Sequence, residues 1–135
     1  MLTFFDTNVL VYCVDANDAR KQKVALDAVA SCGKAGVGIL STQVLIELYN
    51  TLVRKQKLPE TTAEQVVLAY SDWTCINSDA GLVHDAMTLS IRHKKSIWDA
   101  MVISAALRSG AQTLYTEDLQ HGQKFDNLTV VNPFL

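Results

Sequence analysis

Four carboxylates stand where a chain of this pattern could use them for chemistry. Asp6 and Asp118 each follow a short apolar run, Phe4-Phe5 and Leu114-Tyr115. Asp99 opens an apolar helical segment, and Glu47 lies on the flank of another. Further polar side chains stand beside them: Thr7 and Asn8 after Asp6, and Thr116 and Glu117 before Asp118. Carboxylates gathered within a few ångströms raise one another's pKa and cannot all ionise without a cation. Hard oxygen donors with open positions suit Mg²⁺ or Mn²⁺, which keep several waters and bind phosphate oxygens. The matching chemistry is metal-assisted hydrolysis of a phosphodiester, in which a water is activated and the leaving oxygen stabilised.

Each of these residues also has an ordinary structural reading. Asp6 or Asn8 is a favoured N-cap for the helix that follows. Ser96-x-x-Asp99 has the spacing of a capping box. Glu47 falls roughly 60° from Val44 around the helix, at the margin of the apolar face, where a glutamate can reach water or point into a cleft. A cap can project into a site at the helix N-terminus, so the two readings coexist.

The elements that must position these acids alternate between strand and helix. Leu2–Phe5 reads as a first buried strand, with a short helix from about Val9 to Val14. A helix follows from about Ala19 to Ala30, ended by Gly33 to Gly36, with Val24, Ala25, Ala28 and Val29 on its buried side. Val37–Leu40 is a second strand, and Ser41 caps an amphipathic helix from about Thr42 to Lys57, whose inner face carries Val44, Leu45, Leu48, Leu52 and Val53. Beyond Pro59, Thr61-x-x-Glu64 reads as a capping box for a helix from about Thr62 to Asp72. Trp73–Ile76 reads as an edge strand. Ser78 is placed as the cap of a helix from about Asp79 to His93, with Leu82, Val83, Ala86, Leu89 and Ser90 inside. Asp99, Val102, Ile103 and Ala106 share a face of the next helix, which ends at Gly110. Thr113–Tyr115 and Leu128–Val131 complete the strands. His121 reads as a surface residue.

Alternating strands and helices predict an α/β fold with a parallel sheet covered on both faces. In such sheets the site lies outside the carboxyl ends of the strands, near the point where strand order reverses. Residues 1–135 fit one domain. Apolar residues make up 49% and charged residues 19%, and the net charge is −2. A nucleic-acid binder with a broad basic face would be positive, so any grip on nucleic acid must come from local patches or metal ions. Arg54, Lys55, Arg92, Lys94 and Lys95 are the candidate contacts, with Arg20, Lys21 and Lys23 behind them. Pairing with helix dipoles also accounts for those at helix ends. The three cysteines have no disulfide or zinc spacing and read as reduced thiols of a cytoplasmic protein. No signal peptide and no membrane span are expected.

The ordered set Phe5-Asp6-Thr7-Asn8, Glu47-Leu48, Asp99-Ala100 and Thr116-Glu117-Asp118 resembles the PIN-domain family, whose small bacterial members are VapC-like toxins of toxin–antitoxin pairs. The resemblance spans Leu2 to Val131. It implies a three-layer α/β/α sandwich with a central, mainly parallel sheet, and a Mg²⁺- or Mn²⁺-dependent ribonuclease site. Asp6, Glu47, Asp99 and Asp118 would be the metal-binding acids, with Thr7, Asn8 and Thr116 in support. The family pattern selects Asp118 over Glu117, which could still contribute. RNA as substrate, an antitoxin partner and a homodimer follow from the same resemblance.

Three other readings compete. A haloacid-dehalogenase-like phosphatase, acting on small molecules, carries a second Asp two residues after the first, where this chain has Asn8. A phosphate-receiver domain needs an acidic pair at the first strand end and an acceptor Asp after a middle strand, where this chain has Ser41-Thr42. A PIN-like fold without catalysis, serving as a binding scaffold, is disfavoured by the presence of all four acids.

Overall fold

Strands of only three or four apolar residues are stable when helices cover both their faces. The computed structural model describes residues 1–135. In chain order it runs β1 (Thr3–Phe5), α1 (Thr7–Tyr12), α2 (Ala19–Ala35), β2 (Gly38–Ser41), α3 (Thr42–Arg54), α4 (Glu60–Tyr70), β3 (Thr74–Ile76), α5 (Ala80–His93), α6 (Ile97–Arg108), β4 (Thr113–Tyr115), β5 (Lys124–Phe125) and β6 (Leu128–Val131). One sheet of order β3-β2-β1-β4-β6-β5 forms the middle layer. Its pairings are parallel except β5 with β6. This is the α/β/α sandwich expected from the alternation of elements.

The chain leaves β1 toward β2 and β3 on one side and later returns to β4 on the other. Strand order therefore reverses at the β1–β4 seam, the usual place for a ligand crevice. Phe5 is in register with Tyr115, which sets Asp6 beside Thr116 at the carboxyl ends. Phe4, Phe5, Leu40, Leu114, Leu128 and Val130 fill the sheet's share of the core. Helix α6 is buried without interruption from Ala100 to Ala106. A one-sided stripe beginning at Asp99 is therefore not what forms; small side chains let the helix sink into the core on every side, and Asp99 is half-buried in its first turn.

Several boundaries differ from the expected ones. Helix α2 continues to Ala35 and stops at Gly36, whose φ of 69° is left-handed and suits glycine. Gly33 stays helical, and a Cβ there would lie 3.3 Å from the Trp73 ring. Helix α4 starts at Glu60, with Pro59 before it and no side-chain cap, so the Thr61-x-x-Glu64 box is not formed. Asp79, not Ser78, caps α5, accepting the Leu82 N–H at 2.8 Å. A carboxylate there also gains from the helix dipole. Ser78 instead donates its N–H to Thr42 Oγ1. Val83, expected inside, is 38% exposed. The hairpin of β5 and β6 was not expected; its turn at Asp126 has a φ of 53°. His121 is exposed, as expected, and its Nδ1 accepts the Asn132 N–H at 3.0 Å. The three cysteines are unpaired.

One packing contact yields a direct test of the fold. A Cβ on Gly38 would meet the Trp73 ring at 2.4 Å. That ring is held edge-on between Phe5 and Tyr70, each at 5.3 Å between centroids, so it cannot step aside freely. Gly38→Ala should lower stability by about 1–3 kcal/mol, the usual cost of overpacking. It should be read as a lower urea midpoint at an unchanged slope.

Candidate active site

Asp6 caps α1 and also faces the crevice, so its two readings describe one residue. Its N–H is donated to the Tyr115 carbonyl across the seam at 3.0 Å. Its Oδ1 accepts the Thr7 N–H at 2.8 Å. Its Oδ2 accepts the Thr116 hydroxyl, also at 2.8 Å. Thr116 is fully buried, and its Oγ1 in turn accepts the Asp118 N–H at 3.1 Å. Asn8 Nδ2 lies 2.9 Å from Asp118 Oδ2, 3.2 Å from Thr116 Oγ1 and 3.4 Å from Asp6 Oδ2. Its Oδ1 accepts the Glu117 N–H. Asn8 thus ties the end of β1 to the turn after β4, holding Asp6 and Asp118 on either side of one amide.

The electrostatics of Asp6 follow from this position. It is 8% exposed, and its pKa is pushed up to about 6. Burial is the largest cause, opposed by the hydrogen bonds from Thr116 and Thr7, and the charges of Asp118 and Glu47 add to the rise. Glu47, exposed at the rim on α3, is also raised. Partial desolvation comes first, Gln43 opposes it, and Asp99 and Asp118 push it further. The four acids therefore act on one another across a single face. Asp99 donates its own N–H to Ser96 Oγ at 3.1 Å, and its carboxylate has no hydrogen-bond partner.

Glu117 differs. Its carboxylate accepts from Tyr12 Oη at 2.8 Å and pairs with Lys21 Nζ at 2.9 Å. It fastens α1 and α2 to the β4 turn, and only its N–H reaches Asn8. Of the basic candidates, Lys55 lines the acidic cleft, an opening of about 400 Å³ that also holds Thr7, Asn8, Glu47, Asp118 and Thr51. Arg54 is exposed and does not line it. Arg92 lines a separate cavity with Lys124 and Phe125. Lys94 forms the left-handed cap of α5, and Lys95 is half-buried beyond it. Lys21, Lys23 and Arg20 are committed to Glu117, Asp27 and the Phe134 carbonyl. Thr51 was missed in the sequence and Lys55 was read only as a candidate RNA contact; the signal for both was their place about one and two turns beyond Glu47 on the same helix face.

The donors fit a hard divalent cation in their chemistry. They are oxygens, one is a buried carboxylate held up in pKa, and Thr7 Oγ1 is a buried hydroxyl with no partner at the same cleft. No three acids approach closely enough to enclose an ion by themselves. Mg²⁺ keeps several waters when bound, and through such waters acids that do not enclose an ion directly can still hold it.

Comparison with known proteins identifies the fold and the family. A sequence model of the PIN domain family matches residues 3–125. The chain superimposes on VapC20 of Mycobacterium tuberculosis, a toxin that cleaves the sarcin–ricin loop, with a TM-score of 0.71 and 26% identity, covering 86% of this chain and 89% of that one. VapBC2 from Rickettsia felis, bound to a DNA fragment from its promoter, matches with a TM-score of 0.67 and 19% identity over 96% of this chain and 97% of that one. A toxin–antitoxin complex from Klebsiella pneumoniae gives a TM-score of 0.67 and 18% identity over 97% of each chain. At these last two identities the likeness speaks for the fold. No curated protein sequence matches the chain.

Proposed function

The chain belongs to the PIN-domain family, and from that premise we propose that it is a metal-dependent endoribonuclease, the toxin of a toxin–antitoxin pair. The observation that carries the reading is Asp6: a buried carboxylate at the strand-order reversal, pushed up to about 6, with Asp118 and Glu47 adding to the rise. Asp6, Glu47, Asp99 and Asp118 would hold Mg²⁺ or Mn²⁺. When bound, such a cation supplies a water of lowered pKa and neutralises charge on the phosphate.

The chain's own residues do the rest. Thr116 and Thr7 hold Asp6 in its anionic form through hydrogen bonds. Asn8 keeps Asp118 at a fixed distance and orientation from Asp6. Thr7 Oγ1, beside Asp6, is buried without a hydrogen-bond partner. Lys55 offers a positive charge at the same cleft for a phosphate oxygen. Glu117, neutralised by Lys21, supports the turn.

An antitoxin is the expected protein partner, as in the Rickettsia and Klebsiella complexes. A homodimer is the expected assembly. Val83, Met87 and Ile91 form an exposed apolar stripe at four-residue spacing on α5, with Ile91 81% exposed, and such a stripe suits a second copy. No helix is long and apolar enough to cross a membrane, and we place the protein in the cytoplasm.

The test is incubation of a mixed pool of structured RNAs with inhibitor-free protein in EDTA, Mg²⁺ or Mn²⁺. Cleavage should occur with either metal and stop in EDTA. Folded protein that cuts no RNA under any metal would leave a non-catalytic scaffold or a small-molecule phosphohydrolase as the better reading.

A further inference from the structure

Lys21 is held by more partners than an ordinary surface lysine. Its Nζ pairs with Glu117 Oε2 at 2.9 Å and donates to Tyr12 Oη at 3.2 Å. The same ammonium lies 4.9 Å from the centre of the Tyr12 ring and 5.4 Å from that of Phe134, within the range of cation–π attraction. The two rings meet edge-on at 4.9 Å. Phe134 is buried and is itself pinned: Arg20 donates to its carbonyl at 2.8 Å, and its own N–H is donated to Asn132 Oδ1 at 2.9 Å. Yet the side chains of Lys21 and Glu117 are 26% and 23% exposed. An ion pair that reaches water to this extent contributes little to stability. Stability alone therefore does not account for the arrangement, and the chain neighbour of Glu117 is Asp118.

Resting on the metal-dependent reading above, we propose that Lys21 is a positioning residue for the acidic site. By holding the Glu117 carboxylate it fixes, through Asn8, where Asp118 stands, and so how tightly a divalent cation is held. Glu117 and Asp118 are adjacent acids on one turn, and either could swing toward a cation. Tyr12 and Lys21 occupy both carboxylate oxygens of Glu117, Oε1 and Oε2. That leaves the Glu117 backbone N–H set against Asn8 Oδ1 at 3.3 Å. With its oxygen so engaged, the Asn8 amide turns its Nδ2 toward Asp118 Oδ2 at 2.9 Å, and toward Thr116 Oγ1 and Asp6 Oδ2. Without Lys21, the Glu117 carboxylate is an uncompensated charge beside Asp118, and the turn loses its tie to α2. The amide that spaces the two acids then loses its fixed orientation. Groups of this kind, one contact removed from metal-binding residues, commonly set metal affinity by roughly 10- to 100-fold.

The probe is Mn²⁺ alone, titrated by calorimetry into RNA-free protein, with the Asn8 side-chain amide followed by NMR in the metal-free state. Charge counting predicts that Lys21→Met, which removes a positive charge, binds Mn²⁺ more tightly. Positioning predicts the opposite sign: binding roughly 10- to 100-fold weaker, and an Asn8 amide signal that moves before any metal is added. The melting temperature should stay close to that of wild type, as for an exposed ion pair. Glu117→Gln should lose a similar factor, and the double variant should lose no more than either single one, since both cut the same connection. Lys21→Arg, which can still reach Glu117, should stay close to wild type. Lys21→Met that binds Mn²⁺ as tightly as wild type, or more tightly, overturns the positioning role and leaves the metal site standing. Unchanged Mn²⁺ affinity with weaker RNA binding in EDTA would make Lys21 an RNA contact instead, and the proposal fails. Glu117→Gln, which keeps its Tyr12 contact, decides the matter if Lys21→Met does not fold: wild-type Mn²⁺ affinity with an unmoved Asn8 amide would overturn the proposal. Wild-type protein that takes up no Mn²⁺ would overturn the metal site and the positioning role together.

Discussion

Asp6→Asn should reduce RNA cleavage by roughly 10²–10³-fold or more, the loss seen when one group that stabilises reacting charge is removed. The same substitution should raise the stability of the metal-free protein at neutral pH. The folded pKa of Asp6 is about 6, against an ordinary 3.8. A carboxyl raised on folding stabilises the fold below its unfolded pKa, and that contribution is lost as pH rises through the folded value. The wild-type protein without metal should therefore lose stability between about pH 4 and pH 6. At about 1.36 kcal/mol per unit this amounts to roughly 3 kcal/mol by pH 7. Glu47, raised in the same direction, adds to the trend. An asparagine in place of Asp6 carries no charge, so the mutant should melt several degrees higher than wild type at pH 7, with the gap closing by pH 4. A divalent cation should restore the wild type's loss by binding only the folded state. Melting curves at pH 4, 5, 6 and 7, with and without Mn²⁺, check both halves.

Thr116→Val should be the second large effect, and it separates positioning from ligation. The side chain is fully buried and nearly isosteric with valine. Its hydroxyl donates to Asp6 and accepts from Asp118 and Asn8, so one substitution removes three contacts at the centre of the network. Stability at pH 7 should fall by about 1.5–3 kcal/mol, the range for a buried hydrogen bond to a charged group. Activity should fall roughly 10- to 100-fold, as when a group supporting metal-binding residues is lost. The distinguishing sign is in the pH profile. Thr116 holds the Asp6 pKa down, so without it the acid limb of the cleavage rate should move to higher pH. A loss of rate with an unmoved acid limb would mean that Thr116 serves only the fold.

How far the sequence led can be judged from these same residues. Thr116 was expected to support the acids only through the family resemblance, and its bond to Asp6 forms because β1 and β4 are neighbours in register. What sequence could not supply was the pairing itself: β1 lies between β2 and β4, and periodicity carries no information about which strands become neighbours. Asn8 was legible as a support, but its place between Asp6 and Asp118 depends on a contact between the two ends of the chain. Glu117 and Asp118 are adjacent and chemically alike. Lys21 and Tyr12, far upstream, give Glu117 its separate role. The basic residues were least legible. They formed clusters along the chain, yet among the candidates only Lys55 lines the acidic cleft, since charge runs at helix ends say nothing of which way the ends point. Helix starts were misjudged at Ser78 and Thr61, where a neighbouring Asp79 or Pro59 set the boundary instead.

The most direct measurement of the central claim is the cleavage rate of one labelled RNA as Mn²⁺ is titrated into EDTA-stripped protein, with wild type and Asp6→Asn side by side. Wild type should start near background, rise with metal and saturate, while Asp6→Asn stays at background although folded. Equal cutting by the two proteins, or cutting by wild type that is indifferent to metal, would contradict a metal-dependent centre built on Asp6.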